Sequence, residues 1–299
     1  MKSILRFVIM IIVIVLATTG TAQEVPRGFT PAIPMELEVL NTYPHDTKAF
    51  TQGLVWYDGS FYESTGDDNG IESYSGLSTL REVDPITGEV LRSIPVKRSE
   101  PLEEGQSDYF AEGLELVGDQ FYQLTWKAET AFVYDRATFE EVDRINCDGQ
   151  GWGLCTDGRY FYMSDGSQYL SIREIDTFEL IAKMVVTYNG YPIERQRLNE
   201  LECVGDSIYA NYWRTNFILE IDKFTGNVTA LIDTTNLLTP EQQLEIPGAF
   251  QSNDGQIYPS TGGVLNGIAY NPQSDTFFIT GKLWPWVFEV RFVPASLEN

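Results

Sequence analysis

Residues 45–65 read HDTKAFTQGLVWYDGSFYEST. Two runs rich in apolar and aromatic residues flank Asp58-Gly59, a pair that tolerates the positive φ angles of a tight hairpin turn. The segment therefore predicts two short antiparallel strands. Gln52 is out of place in the first of them, because a strand entering a core would carry an aliphatic side chain there. The arrangement returns as AEGLELVGDQFYQLTWK (111–127), GWGLCTDGRYFYMSDG (151–166), LNELECVGDSIYANYWR (198–214) and LNGIAYNPQSDTFFITGK (265–282). Each copy has Gly or Glu followed by Leu or Ile, then a turn, then an aromatic-rich second strand. The residue before the Gly or Glu differs every time.

A third strand follows in each unit: LREVD, AFVYD, SIREID, FILEID and WVFEV, four of them ending in Asp. Fourth strands are VLRSI, EVDRI, LIAKMV and VTALI. Four strands in about forty residues make one propeller blade. The motif glycine slot falls at 53, 113, 153, 200 and 267, and the two long intervals contain no further copy. The expectation is an all-β fold, a five-bladed β-propeller with four-stranded antiparallel blades, spanning residues 37–299. WVFEV has no fourth strand after it, so residues 37–43 (LEVLNTY) are expected to return and close the ring, protecting the edges. Insertions at 67–76, 97–110 and 234–264 run into or out of the innermost strands, so some of them are expected to overhang one mouth of the channel.

Composition narrows the function classes. The formal charge is −23, from 43 acidic and 20 basic residues. Phosphate backbones need basic patches, so nucleic-acid binding is excluded and anionic membrane surfaces are disfavoured. At the N-terminus, MKSILRFVIMIIVIVLATTGTAQEVP has two basic residues, an unbroken apolar run at 7–16 and small residues up to Ala22. This is the layout of a cleavable signal peptide (1–22) followed by a linker (23–36), with an uncleaved anchor as the alternative. The expected destination is the periplasm or the exterior, as a monomer with no stable membrane contact after cleavage. The three cysteines, Cys147, Cys155 and Cys203, leave at least one thiol unpaired within the chain, and a 147–155 bridge is one possibility. With one histidine and no CxxC, a zinc site of His and Cys ligands is not expected.

First strands of propeller blades line the central channel, so equivalent repeat positions form a ring. That ring holds Gln52, Glu112, Trp152, Asn199 and Asn266. Buried unpaired polar heads cost about 1–3 kcal/mol each, and a purely structural ring would use aliphatic residues. A second set lies at the end of the outgoing strands: Trp126, Trp213 and Lys282. Apolar walls with a few placed polar groups are the pattern of a small-molecule site.

These residues, with YPHDTKAFTQGL, TLREVDPITGEV, FAEGLEL, QLTWK, GWGL, RLNELE, ANYW, VLNGIAY and ITGKLWP in order, resemble the glutaminyl-peptide cyclotransferase family of plant and bacterial type. The resemblance spans roughly residues 38–293. It implies a five-bladed propeller that turns the N-terminal Gln of a peptide or protein into pyroglutamate with release of ammonia. It further implies Glu112 as the acid/base residue, with Phe50, Gln52, Trp126, Trp152, Asn199, Trp213 and Lys282 in the pocket. One passage departs from the family: STGDDNGIESYSGLSTLR (64–81) is longer than its usual counterpart, which affects the rim.

The residues support this chemistry independently. One carboxylate between two nitrogens can take a proton from the attacking amine and return it to the leaving group. Apolar neighbours would raise the pKa of Glu112, and Lys282 would lower it. Asn199, Gln52 or Lys282 could donate to the developing oxyanion. No metal or other cofactor is required. Two rivals remain: a calcium-dependent lactonase-like hydrolase using Glu112, Asn199 and Asn266, and a non-catalytic binding propeller. His45 is expected to be a structural hydrogen-bonding residue.

Overall fold

The computed structural model describes residues 30–66, 78–96, 109–193 and 198–296. The expected leader at 1–22, residues 23–29 of the linker, the insertion at 67–76 and residues 97–108 of the next insertion lie outside the described residues.

β1 (Ile33–Pro44) is followed by a four-stranded antiparallel sheet of β2 (Thr51–Tyr57), β3 (Ser60–Thr65), β4 (Thr79–Val83) and β5 (Val90–Pro95). β6 (Ala111–Val117), β7 (Gln120–Thr125), β8 (Thr130–Asp135) and β9 (Glu141–Asn146) form the second sheet. β10 (Leu154–Thr156), β11 (Tyr160–Ser164), β12 (Tyr169–Glu174) and β13 (Leu180–Val185) form the third. A small hairpin of β14 (Thr187–Tyr188) and β15 (Tyr191–Pro192) precedes β16 (Leu198–Val204), β17 (Ser207–Tyr212), β18 (Phe217–Asp222) and β19 (Val228–Asp233). An insertion carries α1 (Pro240–Glu245) and a hairpin of β20 (Phe250–Gln251) and β21 (Ile257–Tyr258). The chain ends with β22 (Leu265–Asn271), β23 (Thr276–Gly281) and β24 (Trp286–Pro294).

The last strands merge into one eight-stranded sheet, ordered β16-β17-β18-β19-β1-β24-β23-β22. Its two halves meet where β1 runs parallel to β19 over only Ile33, Pro34 and Met35. From Met35 to Pro44, β1 pairs antiparallel with β24. The strand expected at 37–43 thus closes the fold. β2, β6, β10, β16 and β22 contact one another in sequence, and β22 returns to β2. The architecture is all-β, in quartets of strands, and propeller-like.

Local chemistry explains the strand ends. Asp58 and Gly59 have φ angles of 49° and 83°, both positive as a two-residue hairpin turn demands. Asp84, Asp135 and Asp222 each end a third strand and accept the N–H of Thr87, Thr138 and Thr225 at 2.8, 2.9 and 2.8 Å. Such side-chain-to-backbone bonds stop the ladder and start a turn. In the third sheet SIREID is expected to end at Asp176. The strand instead stops at Glu174, whose longer carboxylate accepts Thr177 N–H at 2.7 Å.

Apolar packing lies in the seams between neighbouring sheets. One cluster joins Tyr62 and Leu80 of the first sheet to Phe121 and Phe132 of the second. Others join Leu124 to Phe161, Leu170 to Leu201, Ile218 to Ile268, and Phe61 to Phe278. Each fully buried Leu or Phe contributes about 1.5–3 kcal/mol. Because no central core competes for the space, the axis is left to polar groups. A buried ionic group locks the closing seam. Glu63 accepts hydrogen bonds from Thr51 (2.6 Å) and Arg81 (2.8 Å) and contacts His45 Nε2 (3.1 Å), while His45 Nδ1 lies 2.7 Å from Trp284 O. Burial acts to raise the Glu63 carboxyl, but Arg81 and His45 outweigh it and hold it well below the usual range.

The cysteines differ from one sequence option. The bond is Cys155–Cys203, with Cα atoms 5.4 Å apart, and not Cys147–Cys155; Cys147 is free and buried. It staples β10 to β16 across a sequence separation of 48. Replacing both partners by Ser is expected to lower the unfolding free energy by about 2–4 kcal/mol, read from urea midpoints, whereas reductant should not change the midpoint of the double variant.

Candidate active site

The motif residues sit at irregularities in the inner strands. The β2–β3 ladder pairs Thr51 with Thr65 and then Gly53 with Ser64, leaving Gln52 as an extra residue. Equivalent shifts fall between Ala111 and Leu114, between Leu198 and Leu201, and between Leu265 and Ile268. These are β-bulges, which bend the strand and re-aim a side chain. They release Gln52, Glu112, Asn199 and Asn266 from ladder register. In the third sheet Trp152 lies just before β10, its N–H bonded to Ser164 O at 3.0 Å.

One cavity of ≈ 410 Å³ is lined by Phe50, Gln52, Glu112, Trp126, Trp152, Asn199, Trp213 and Lys282. Eight of the nine residues singled out from the sequence therefore meet there. Asn266 does not line it. This fully buried amide donates to Thr51 O at 2.9 Å and to Gln52 Oε1 at 3.4 Å, so it supports Gln52 from behind. Of the three calcium ligands weighed from the sequence, Glu112 and Asn199 line the cavity and Asn266 does not. Among the described residues, no group of three His, Cys, Asp or Glu side chains is placed to hold a metal ion.

Glu112 is 5 % exposed. Burial pushes its carboxyl up to about 8, with Lys282 pulling it back. Lys282 Nζ donates to Gln52 Oε1 and lies 4.6 Å from the centre of the Phe50 ring. Asn199 is buried and leaves one end of its amide without a partner among the described residues. Such an orphan group in a cavity is available to a ligand.

Aromatic rings form the walls. Trp152 and Trp213 meet edge-on, with centroids 5.4 Å apart and planes at 87°. Phe110 touches both Phe50 (6.2 Å) and Trp126 (5.7 Å). The indole N–H groups of Trp126 and Trp152 share one acceptor, Gln150 Oε1, at 2.9 and 3.2 Å. This shared acceptor fixes both rings.

A family model described as Glutamine cyclotransferase matches residues 9–292. The chain belongs to that family. It is 34% identical over 266 residues to the "Glutaminyl-peptide cyclotransferase" of Arabidopsis thaliana, covering 88% of this chain and 73% of the plant protein. The crystal structure of Myxococcus xanthus glutaminyl cyclase superposes with a TM-score of 0.71 at 34% identity, over 89% of this chain and 100% of that one.

In this member of the glutamine cyclotransferase family, five further lining residues were missed from the sequence: Phe110, Arg214, Thr261, Gly262 and Val264. Phe110 had a signal, since it stands two residues before Glu112 as Phe50 stands two before Gln52. Arg214 follows Trp213 as Lys127 follows Trp126. Thr261, Gly262 and Val264 come from an insertion with no repeat counterpart.

The raised pKa of Glu112 has a consequence for stability. A carboxyl whose folded pKa is about 8, above its unfolded value, contributes stability that is complete below about pH 4.3 and lost as pH rises through 8. Glu112→Gln is therefore expected to gain on the parent chain between pH 5 and 9, by on the order of 3 kcal/mol. Thermal melts across that range should show a melting-temperature difference that grows with pH and levels off above 8.

Proposed function

We propose that this cavity converts the N-terminal glutamine of peptides and proteins into pyroglutamate, releasing ammonia, at the mouth of a five-bladed propeller. The blade count rests on the cycle of inner strands, with β1 completing the sheet of β22, β23 and β24. The observation that carries the activity is Glu112: a lone buried carboxyl facing an aromatic-walled cavity, with a pKa of about 8. A free α-amine has a pKa of about 7.7–8.0. Proton exchange between the two is nearly balanced in energy, the condition under which one group serves first as base and then as acid.

The α-nitrogen attacks the side-chain amide carbon, forming the ring N–C bond and a tetrahedral oxyanion. Glu112 takes the proton that the attacking nitrogen loses. The Lys282 ammonium, braced by Gln52, stabilises the oxyanion, while the unpartnered Oδ1 of Asn199 can accept an N–H of the substrate. Glu112 then protonates the departing nitrogen, the C–N bond breaks, and ammonia leaves. Trp126, Trp152, Trp213 and Phe50 hold the chain end folded, so the ring closure is favoured by proximity. Protons and electrons balance without a metal or other cofactor. Export through a leader cut after Ala22, to act as a monomer in the periplasm or outside, is part of the same proposal. The Cys155–Cys203 bond supports an oxidising compartment.

Ammonia release from a Gln-initiated peptide is expected with excess EDTA present, and its loss on chelation would sink the metal-free reaction. The Glu112→Gln variant should lose about 10²–10⁴-fold in kcat while keeping its circular dichroism spectrum. For the parent chain, kcat/KM should fall as pH drops below about 8. A flat profile from pH 6 to 9 would refute Glu112 as the base.

A further inference from the structure

Residues 234–264 interrupt the repeat, and they form a built structure. Thr239 caps α1: its hydroxyl accepts Gln242 N–H at 3.2 Å, and the Gln242 side chain accepts Thr239 N–H at 2.9 Å. Leu237 and Ile246 are buried in the same apolar cluster as Leu265 and Trp284. Trp284 Nε1 donates to Gly263 O at 3.0 Å, tying the end of the insertion to the last sheet.

Held this way, the insertion and the fourth sheet enclose a second cavity of ≈ 450 Å³. Its walls mix the amides and hydroxyls of Asn216, Thr235 and Gln243 with apolar Leu238 and Ile246. It adjoins the first cavity, because Arg214, Thr261 and Val264 line both. Arg214 stands at the junction in a left-handed conformation, φ 63°, with its guanidinium 4.5 Å from the centre of the Trp213 ring. Non-glycine residues hold that conformation at a cost and cluster at functional sites. No carboxylate pairs with Arg214 among the described residues.

We infer that the second cavity is a subsite for the residues that follow the N-terminal glutamine, and that Arg214 selects a carboxylate at the second or third position of the substrate. The inference rests on the cyclotransferase reading. Once the amine and side-chain amide of the glutamine are committed to the first cavity, its carbonyl must lead the rest of the chain outward. The second cavity is the neighbour that this outgoing chain would meet, with Arg214, Thr261 and Val264 between the two. Hydroxyl and amide groups there suit a peptide backbone. A chain carrying −23 overall repels acidic peptides elsewhere on its surface. Arg214 supplies a local cation whose planar fork matches a carboxylate.

The test uses the full chain and five substrates: glutamine amide, Gln-Glu-Ala-amide, Gln-Ala-Glu-amide and the two lysine counterparts. The parent chain should show kcat/KM at least about threefold higher for one or both glutamate peptides than for their lysine counterparts, falling with added salt. In Arg214→Ala the ratio should fall to about one. Thr235→Trp, which narrows the second cavity, should lower the ratio of tripeptide to glutamine-amide kcat/KM. Equal rates for glutamate and lysine peptides in the parent chain, or a preference that survives Arg214→Ala, would overturn the subsite while leaving the cyclotransferase reading standing. No turnover of any substrate by the parent chain would overturn both.

Discussion

The inner strands approach one another so closely that side chains are excluded from the contact line. A Cβ built on Gly53 would lie 2.5 Å from Leu114 N, one on Gly113 would lie 2.7 Å from Trp152 O, and one on Gly153 would lie 2.1 Å from Asn199 O. Only glycine allows such backbone contact. The bulges sit at the same points, so closeness and irregularity come together. Each bulge turns one residue toward the axis, and that residue is free to carry function because its glycine neighbour makes the structural contact.

The exception in the glycine slot is Glu200. It has a side chain where its counterparts have none, and the carboxyl crosses the channel. Its oxygens accept the N–H groups of Ile268 at 2.8 Å and Leu54 at 3.4 Å. Glu115 likewise accepts Leu116 N–H and Thr156 N–H at 2.6 and 2.9 Å. Burial pushes both carboxyls upward, Glu115 to about 8 and Glu200 well above its ordinary value, while these backbone donors pull them back. Glu202 is raised by burial and by both neighbours. Channel backbone groups cannot all pair within ladders where strands bulge, and these acids satisfy some of them. Glu115 and Glu200 thus serve the backbone, whereas Glu112 lines the cavity.

Much of this was legible in the sequence because the repeat does the alignment. Gln52, Glu112, Trp152 and Asn199 were found as variable residues beside a constant motif, and the structure places all four on one cavity. Asn266 occupies the same slot but turns to Thr51 O, an orientation that depends on its neighbour in the ring and leaves no trace in its own unit. The pairing of Cys155 with Cys203 depends on which strands become neighbours around the ring. Glu200 went unread because the repeat treats it as a replacement for glycine, and its reach to another sheet is a matter of distance. The walls from Thr261 to Val264 belong to an insertion, where no repeated unit tells one residue from the next.

The strand that begins the described chain has a wider consequence. β1 pairs along its length with β24 and, over three residues, with β19. Its partners lie about as far along the chain as any can, since Met35 meets Pro294. Most of β1 must therefore stay unpaired until β24 has been made. Contacts of such long range are slow to form. For a chain made from its N-terminus, ring closure becomes a late event: a polypeptide stopped short of β24 keeps β1 and β23 as open sheet edges, ready to pair with a second unfinished chain.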